Sequence, residues 1–381
     1  MSGKLTKFAV QSRNISMTEK FTEIITSSVD GTLEEQCRDI LARACNEYVV
    51  VSIVYFFAAK DTDVYISDDR ILHSVTDSVF SECPLVSCVA QRPMDGRLVA
   101  EVTYLKGGAE IERHDDYSVL RSSECVELLT RGIHYPSSGD IGEQSVKVFD
   151  RIRNILKSES FAVSDIVRQW NYIDHITAVN DGIQNYQLFN DARSDFYSTA
   201  DWSNGYPAAT GIGCEAGGVM VVVYAVMGFA GADSPIDNPL QIPAHKYSRN
   251  VLASGKEIVR TTPKFERARL LGDTIFVSGT AAIKGENSEL SDDARIQSEE
   301  AIDVVEHLVE PSNISHECTD FRFDLIRVYV RRPQDMDVVK DVFTSHFRDI
   351  PIHFLTADIC RPELLLELEG VGHVVSVREG R

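Results

Sequence analysis

One carboxyl group near the end of the chain lies in an unusual setting. Glu367 sits inside a leucine-rich run, residues 363–369, and a Cys-Arg pair, Cys360 and Arg361, precedes that run. A buried carboxyl is driven toward its neutral form because low dielectric disfavours the anion, and it can then act as a general acid near neutral pH. Alternation along a strand would instead bury the leucines at even positions and leave Glu367 exposed. The segment alone favours the exposed strand, since glutamates are mostly exposed.

A phenol and a guanidinium lie two helical turns apart farther upstream. If residues 186–193 form a helix, Tyr186 and Arg193 share one face of it. Arginine grips a carboxylate through two parallel hydrogen bonds, so this face could bind an acidic ligand. An amphipathic helix with Arg193 in a surface salt bridge explains the same pattern equally well.

Two further segments combine small residues with strand ends. Thr210, Gly211 and Gly213 let a ligand approach the backbone, but the third glycine of a dinucleotide-binding loop is missing. Ser278 and Gly279 end a β-prone run and offer small side chains and free backbone amides, which suit an anion or an oxyanion. A tight strand crossing that admits only small residues accounts for both segments without a ligand.

The composition excludes several classes of protein. The formal charge of −20 argues against a nucleic-acid partner, because phosphate binding needs a basic surface. No window approaches the roughly 20 apolar residues of a membrane span, and residues 1–20 carry no signal-peptide core. The eight cysteines include neither a CxxC pair nor zinc spacing, and the histidines suggest no triad. We therefore expect a cytoplasmic protein with reduced thiols and without a metal.

A recurring order of elements indicates an internal duplication. A helix predicted over residues 143–158 leads into a strand at 165–172, and a helix over 297–309 leads into a strand at 324–330. Each strand contains Asp, two aliphatic residues and an arginine, Arg168 or Arg327, with an aromatic residue two positions later. An α+β unit that occurs twice is the simplest explanation.

Six segments together resemble the chorismatase family, whose C-terminal half belongs to the RidA/YjgF-like superfamily. They follow the order of the family and cover roughly residues 165–370, whereas the first 110 residues carry no family motif. The matching segments are FNDARSDFY (189–197), YPAATGIG (206–213), NPLQIPAHKYS (238–248), TPKFERA (262–268), FVSGTAAIKGENS (276–288) and ADICRPELLLELEG (357–370).

The resemblance implies an α+β fold of two RidA/YjgF-like (chorismate-mutase-like) halves, each a mixed sheet backed by helices. Glycines and prolines cluster between residues 220 and 255. We accordingly predict an N-terminal domain over residues 1–228, with its first 30 or so residues poorly ordered, and a C-terminal catalytic domain over residues 229–381. The active site is expected between the C-terminal half and the region 186–213.

The family cleaves the enolpyruvyl ether of chorismate and releases pyruvate without a cofactor. By resemblance, Glu367 is the acid that protonates the enolpyruvyl methylene, and Cys360 is the second catalytic residue. That role favours the buried carboxyl over the exposed one. The residues implied in substrate binding are Tyr186, Arg193, Thr210, Gly211, Gly213, Arg267, Ser278, Gly279, Ala282 and Arg361.

The ring product differs between members of the family. Cys360 resembles the members that aromatise the ring to 3-hydroxybenzoate, in some cases with 4-hydroxybenzoate. Ala282 is bulkier than the glycine of one branch of that group. The alternative is hydrolysis to a dihydroxycyclohexadiene carboxylate.

Two other functions remain open at this point. A RidA-like imine deaminase would release ammonia from imines, but His353 stands near the place where those enzymes have an arginine just after a proline. A non-catalytic protein of the same fold would bind the metabolite unchanged. In each case the partner is a small molecule, with neither nucleic acid nor membrane, and a homo-oligomer is compatible with the sequence.

Overall fold

The structure is a computed structural model that describes residues 19–45, 47–248, 261–315 and 318–376. Its elements form three units, over residues 19–107, 110–227 and 233–376, each built on its own mixed β-sheet with helices. Within these ranges no helix is both long and apolar enough to cross a membrane.

The first unit has a four-stranded sheet in the order β1-β5-β2-β3. Its first helix starts with a capping box between Thr32 and Glu35, in which each side chain bonds the other's backbone N–H. The elements of the unit are β1 (Glu19–Thr26), α1 (Leu33–Ala44), β2 (Val49–Phe57), α2 (Thr62–Asp77), β3 (Leu85–Ala90), β4 (Arg92–Pro93) and β5 (Val99–Gly107).

The second unit has a sheet in the order β13-β10-β14-β8-β7-β6, and β9 also pairs with β14. The helix predicted over residues 143–158 is confirmed, since it spans 141–158. The elements are β6 (Glu110–Arg113), β7 (Tyr117–Arg121), β8 (Val126–Thr130), β9 (Ile133–His134), α3 (Ile141–Ser158), β10 (Ile166–Asp174), β11 (Val179–Asn180), β12 (Ile183–Gln184), α4 (Asn185–Tyr197), β13 (Ala208–Cys214) and β14 (Val219–Met227).

The third unit has a sheet in the order β15-β16-β17-β22-β20-β21-β4, so it borrows β4 from the first unit. The elements are β15 (Asp233–Ile236), β16 (Ala268–Leu271), β17 (Thr274–Thr280), β18 (Ile283–Lys284), β19 (Asn287–Ser288), α5 (Ala294–Leu308), α6 (Pro311–Ile314), β20 (Cys318–Val330), α7 (Met336–His346), β21 (Ile352–Thr356) and β22 (Leu366–Ser376).

The three units repeat one topology. In each, a central strand is parallel to the strand after the next helix and antiparallel to the last strand of the unit: β2 with β3 and β5, β10 with β13 and β14, and β20 with β21 and β22. The second and third units are the two copies expected from the sequence. The first unit is a third copy that sequence reasoning missed, because its central strand lacks the repeated arginine. Val54 stands at that position: it faces Glu101 in β5, as Arg327 faces Glu369 in β22.

The expected weak order of the first 30 residues is wrong for residues 19–30. Residues 19–26 form β1, which pairs along its length with β5 and so satisfies its backbone hydrogen bonds; residues 1–18 lie outside the described part of the chain. The division at residue 228 stays a prediction, and it falls between β14 and β15.

The largest hydrophobic core joins all three units. Around the buried aromatic side chains of the first unit it gathers Ile212 from β13 and Leu355 from β21. The second and third units each have a further core of their own, under α3 and under α5 and α7. Burial of this shared apolar surface stabilises the arrangement of the units, and hence the clefts between them.

Candidate active site

The predicted acid lies where the second and third units meet. Glu367 is the second residue of β22 and faces Tyr329 in β20. Its side chain points away from the leucine-lined core of the third unit, as the alternation predicts. This other face of β22 lies against the second unit, whose Thr210 in β13 bonds Glu369 on the same face, and Glu367 is only 5% exposed. The exposed alternative is therefore wrong.

Gly279 makes room for this carboxyl. The register of β17 against β22 shifts between Val277 and Thr280, which places Gly279 in an irregular stretch beside Glu367. A Cβ at this position would overlap the Glu367 carboxyl and come within 3.1 Å of the Thr210 methyl group. A larger residue here would have to displace the Glu367 carboxyl, which is the tight crossing that the sequence suggested as one explanation.

A second carboxylate two residues on has the opposite character. Glu369 is 2% exposed and is bound by Arg168, by Arg327 at 2.7 Å, by the Tyr329 hydroxyl at 2.8 Å and by the Thr210 hydroxyl. Burial opposes its ionisation, but the two arginines and the hydrogen bonds hold the pKa of Glu369 below its usual value. Glu369 is thus an anion fixed in place.

Glu367 has no such support. Among the described residues none donates a hydrogen bond to it. Burial raises its pKa from 4.5 to about 8, the charge of Glu369 adds to the increase, and Arg267, Arg168 and Arg361 oppose it. Two nearby carboxyls with pKa values pushed apart are the usual arrangement of a neutral acid beside a permanent anion.

The hydroxyls and amides around Glu367 bind one another. The Thr210 hydroxyl accepts from the Gly279 N–H at 3.1 Å and from Arg168 at 2.8 Å. The Ser278 hydroxyl donates to the Glu266 carbonyl, and its N–H donates to the Arg267 carbonyl. The free amides expected at Ser278 and Gly279 are therefore absent, because the Ser278 N–H is used by Arg267 and the Gly279 N–H by Thr210 of β13. Both residues still shape the site.

Tyr186 and Arg193 lie on α4 as predicted. Arg193 is 2% exposed and donates to the Asn190 side chain at 2.6 Å, so it is not in a surface salt bridge. Gly211 admits the Tyr186 ring, which a Cβ there would meet at 3.1 Å. Burial, and then the charge of Cys360, raise the pKa of Tyr186, so its phenol stays a neutral hydrogen-bond donor.

Two pairs of cations flank the acid. Lys264 lies near Arg193, and burial together with the charge of Arg193 lowers the Lys264 pKa. Arg267 and Arg361 both lie over the ring of Tyr247, at 5.5 and 5.3 Å, and Arg267 also donates to its hydroxyl at 2.6 Å. None of these four cations has a carboxylate partner within the described ranges, although the chain is strongly acidic. Buried cations normally are paired, so the arrangement suits a ligand with carboxylates.

Cys360 and Arg361 lie in the connection from β21 to β22. Burial, and then the charge of Glu367, raise the pKa of Cys360 to about 12, so its thiol is neutral. Arg361 donates to the Glu286 carbonyl at 2.9 Å and to the Ser288 hydroxyl at 3.0 Å. The electrostatic influence of Glu367 on Cys360, and of Cys360 on Tyr186, places these groups around one site.

The two remaining predicted residues lie at the edge of the site. Gly213 packs on the connection that carries Cys360, since a Cβ there would meet the Asp358 carbonyl at 2.7 Å and its own N–H donates to that carbonyl. Ala282 is fully buried, and its carbonyl accepts from the Glu289 N–H at 2.8 Å. Both are close-packing positions.

Sequence reasoning missed three residues of the site: Lys264, Tyr247 and Glu369. Lys264 and Tyr247 stand inside two of the matching segments, but nothing in their spacing marks them as neighbours of Arg193 and Arg267. The alternation that predicts an exposed Glu367 predicts the same for Glu369, two residues later. The arginine repeated in β10 and β20 was the available signal for Glu369, because a buried arginine needs an anion.

The histidine near the expected deaminase arginine, His353, lies outside this site. His353 is buried and bonds Glu101 at 2.9 Å, which places it between the third and first units. In the described ranges one group could approach a metal ion, formed by Asp69, His73 and Cys88 with ligand atoms within 4.8 Å of one another. Its cavity is also lined by Arg131, and the pKa of Cys88 is raised by burial, so we assign no ion to it.

Comparisons with known proteins identify similar folds and sequences. The fold is that of a chorismatase: one crystal structure of a chorismatase superposes with a TM-score of 0.70 at 24% identity, covering 94% of this chain and 99% of the other. The family model for the N-terminal part of FkbO/Hyg5-like chorismatases matches residues 103–225.

Two curated relatives come from Streptomyces hygroscopicus. A 3-hydroxybenzoate synthase is 33% identical over 224 residues, which is 56% of this chain and 65% of that protein. A chorismatase is 27% identical over 329 residues, 81% of this chain and 86% of that protein. The chain is thus similar in sequence and in fold to chorismatases, and it spans about two thirds of the length of the 3-hydroxybenzoate synthase.

Proposed function

We propose that this protein is a chorismatase that converts chorismate to pyruvate and 3-hydroxybenzoate, in part with 4-hydroxybenzoate. The observation that carries the proposal is the neutral carboxyl of Glu367 among cations that lack carboxylate partners. Chorismate is a dianion with two carboxylates and an enol ether that acid cleaves. The sequence similarity to a 3-hydroxybenzoate synthase and to a chorismatase supports the same substrate.

The two cation pairs provide separate places for the two carboxylates. Of the four cations in these pairs, Arg267 and Arg361 are the ones whose charges act on the Glu367 carboxyl, so this pair would hold the enolpyruvyl carboxylate next to the acid. Arg193 and Lys264 would hold the ring carboxylate. A ligand fixed at both ends presents its methylene carbon to the acid in one orientation, which lowers the entropic part of the barrier.

The chemistry begins with the proton of Glu367. Transfer of that proton to the enolpyruvyl methylene makes an oxocarbenium ion. The neighbouring ring hydroxyl then attacks the carbon that carries the ether and loses its proton, which forms an epoxide, while the C–O bond of the ether breaks and its electrons leave with the three-carbon fragment as pyruvate. One C–O bond of the epoxide then breaks, its oxygen takes up the proton that the hydroxyl lost, and the ring proton released on aromatisation restores Glu367. Chorismate thus splits into its two products without water, whereas the hydrolytic alternative consumes one water molecule. Glu369 stays ionised and favours the positive charge that develops.

The direct test is to incubate the protein with chorismate, follow pyruvate with lactate dehydrogenase and identify the ring product by chromatography. Glu367→Gln should lower kcat by about 10²–10⁴-fold, because the amide is not an acid of suitable strength. Glu299→Gln, at an exposed glutamate of α5, is the matched control and should keep full activity. Absence of pyruvate at high enzyme concentration refutes the proposal. Ammonia from imines would instead favour a deaminase, and binding without turnover a non-catalytic protein.

Cys360 is proposed to guide the ring product. Its thiol is neutral, so it would donate a hydrogen bond and not act as a nucleophile. Cys360→Ala should change the ratio of hydroxybenzoate to dihydroxycyclohexadiene carboxylate more than it changes the rate of pyruvate release. An unchanged ratio means that Cys360 only fills space in the site.

A further inference from the structure

The connection between β21 and β22, residues 357–365, is held by one arginine. We call this connection the strap. Arg331 follows β20 directly, and its side chain is 15% exposed. Its guanidinium donates to the Asp358 carboxylate at 2.7 Å, to the Ile359 carbonyl at 2.7 Å, to the Arg361 carbonyl at 2.9 Å and to the Pro362 carbonyl.

These bonds surround the two strap residues that face the proposed substrate. The acceptors belong to Asp358 and Ile359, before Cys360, and to Arg361 and Pro362, after it. All of them bond the same planar guanidinium. The strap has no strand partner over this stretch, so the arginine replaces the hydrogen bonds that a sheet would provide. A planar group with five fixed donors can define a loop conformation in a way that a lysine cannot.

In the described ranges, the other backbone bonds to the rest of the fold secure the strap near its two ends, and the Arg361 side chain adds its bonds to Glu286 and Ser288. The Asp358 carbonyl accepts from the Gly213 N–H at 2.8 Å, and Gln297 binds the backbone of Glu363 at 3.0 Å and of Leu365 at 2.9 Å. Between these ends, the Cys360 carbonyl has one long bond, at 3.5 Å, from Gln184. Removing Arg331 would therefore release the part of the strap that carries Cys360 and Arg361.

We infer that Arg331 is a positioning residue that holds Cys360 and Arg361 in the orientation needed for substrate binding and for selection of the ring product. This rests on the proposed function, although the position of Cys360 can be measured without it. Arg331 does not face the substrate itself, since its donors are directed at the strap.

The test compares Arg331→Met and Arg331→Lys with a matched control, Arg332→Met. Arg332 is the next residue, and its ion pairs with Asp292 and Asp335 are near the surface. In Arg331→Met, KM for chorismate should rise about tenfold, equivalent to about 1.4 kcal/mol, since a displaced Arg361 loses part of its charged hydrogen bonding to the substrate. The share of hydroxybenzoate should fall as well. Arg331→Lys should lie between this variant and the wild type, and Arg332→Met should match the wild type.

A second measurement does not depend on turnover. The alkylation rate of Cys360, followed by peptide mass spectrometry, should increase several-fold in Arg331→Met and stay unchanged in Arg332→Met. If Arg331→Met equals Arg332→Met in KM, product ratio and alkylation, the inference is refuted. If the wild type does not turn over chorismate, the proposed function fails while alkylation still decides the role of Arg331. Should Arg331→Met not fold, the same comparison is made with Arg331→Lys.

Discussion

The protonation of Glu367 should be visible in the stability of the protein without any substrate. Its pKa is about 8 in the folded protein against an ordinary value of 4.5. Between these values the folded state keeps a proton that the unfolded state has lost, so the free energy of unfolding falls as the pH rises. The contribution of Glu367 is complete below the unfolded pKa and is lost as the pH rises through the folded pKa. At about 1.4 kcal/mol for each pKa unit, the loss is on the order of 5 kcal/mol.

Glu367→Gln isolates this contribution, because an amide of the same shape does not titrate. Urea unfolding of the wild type and the variant should give similar stabilities near about pH 5 and a variant more stable by several kcal/mol near about pH 9. Glu299→Gln, on the surface of α5, removes a carboxylate without this dependence and controls for the change in net charge. The opposite result is a difference in free energy of unfolding between wild type and Glu367→Gln that stays constant over this range within about 1 kcal/mol. It would show that Glu367 is ionised in the fold, and the argument for a neutral acid would be lost.

Three other predictions concern the surroundings of the acid. Gly279→Ala should lower activity by about 10²-fold, since the new methyl displaces the Glu367 carboxyl. Gly142→Ala is the control: a Cβ there meets nothing closer than 3.3 Å, so the steady-state rates should not change. Arg168→Met should lower the free energy of unfolding by about 3–5 kcal/mol, because it breaks a buried ion pair. Arg38→Met breaks an exposed pair and should cost about 0–1 kcal/mol; equal losses of unfolding free energy in denaturant titrations would contradict this. The kcat/KM for chorismate should fall above about pH 8, and Glu369→Gln should move that limb to lower pH by removing the negative charge beside Glu367; a limb that does not move would exclude Glu369 as a cause.

Much of the fold follows from local patterns. The helical spacing of apolar residues predicts α3 and α5, and the repeated arginine predicts that β10 and β20 are equivalent. The first unit escaped detection because repeats diverge at the positions that do not define the topology. Its central strand keeps the aromatic residue, Phe56, where the others have Trp170 and Tyr329, but it has lost the arginine.

The site was less predictable from the sequence. The burial of Glu367 depends on β13, which lies more than 150 residues away in the chain and covers a strand face that looks solvent-exposed in isolation. Whether an amide is free also depends on partners distant in sequence, as with the Gly279 N–H and the Thr210 hydroxyl. The resemblance to a family located the acid; local periodicity could not, since alternation describes a face but not what covers it.

The three units are joined in one chain, and this has a consequence for how the protein can change. In an assembly of three identical subunits, every substitution appears in all three clefts at once. Here the position equivalent to Glu367 is Val99 in the first unit and Val222 in the second. Val99 faces Phe56 and Val222 faces Trp170, the residues equivalent to Tyr329. One cleft can therefore hold an acid with a raised pKa while the other two contribute apolar packing. The proposed site takes its residues from one polypeptide, so we expect the specific activity to be unaffected by dilution.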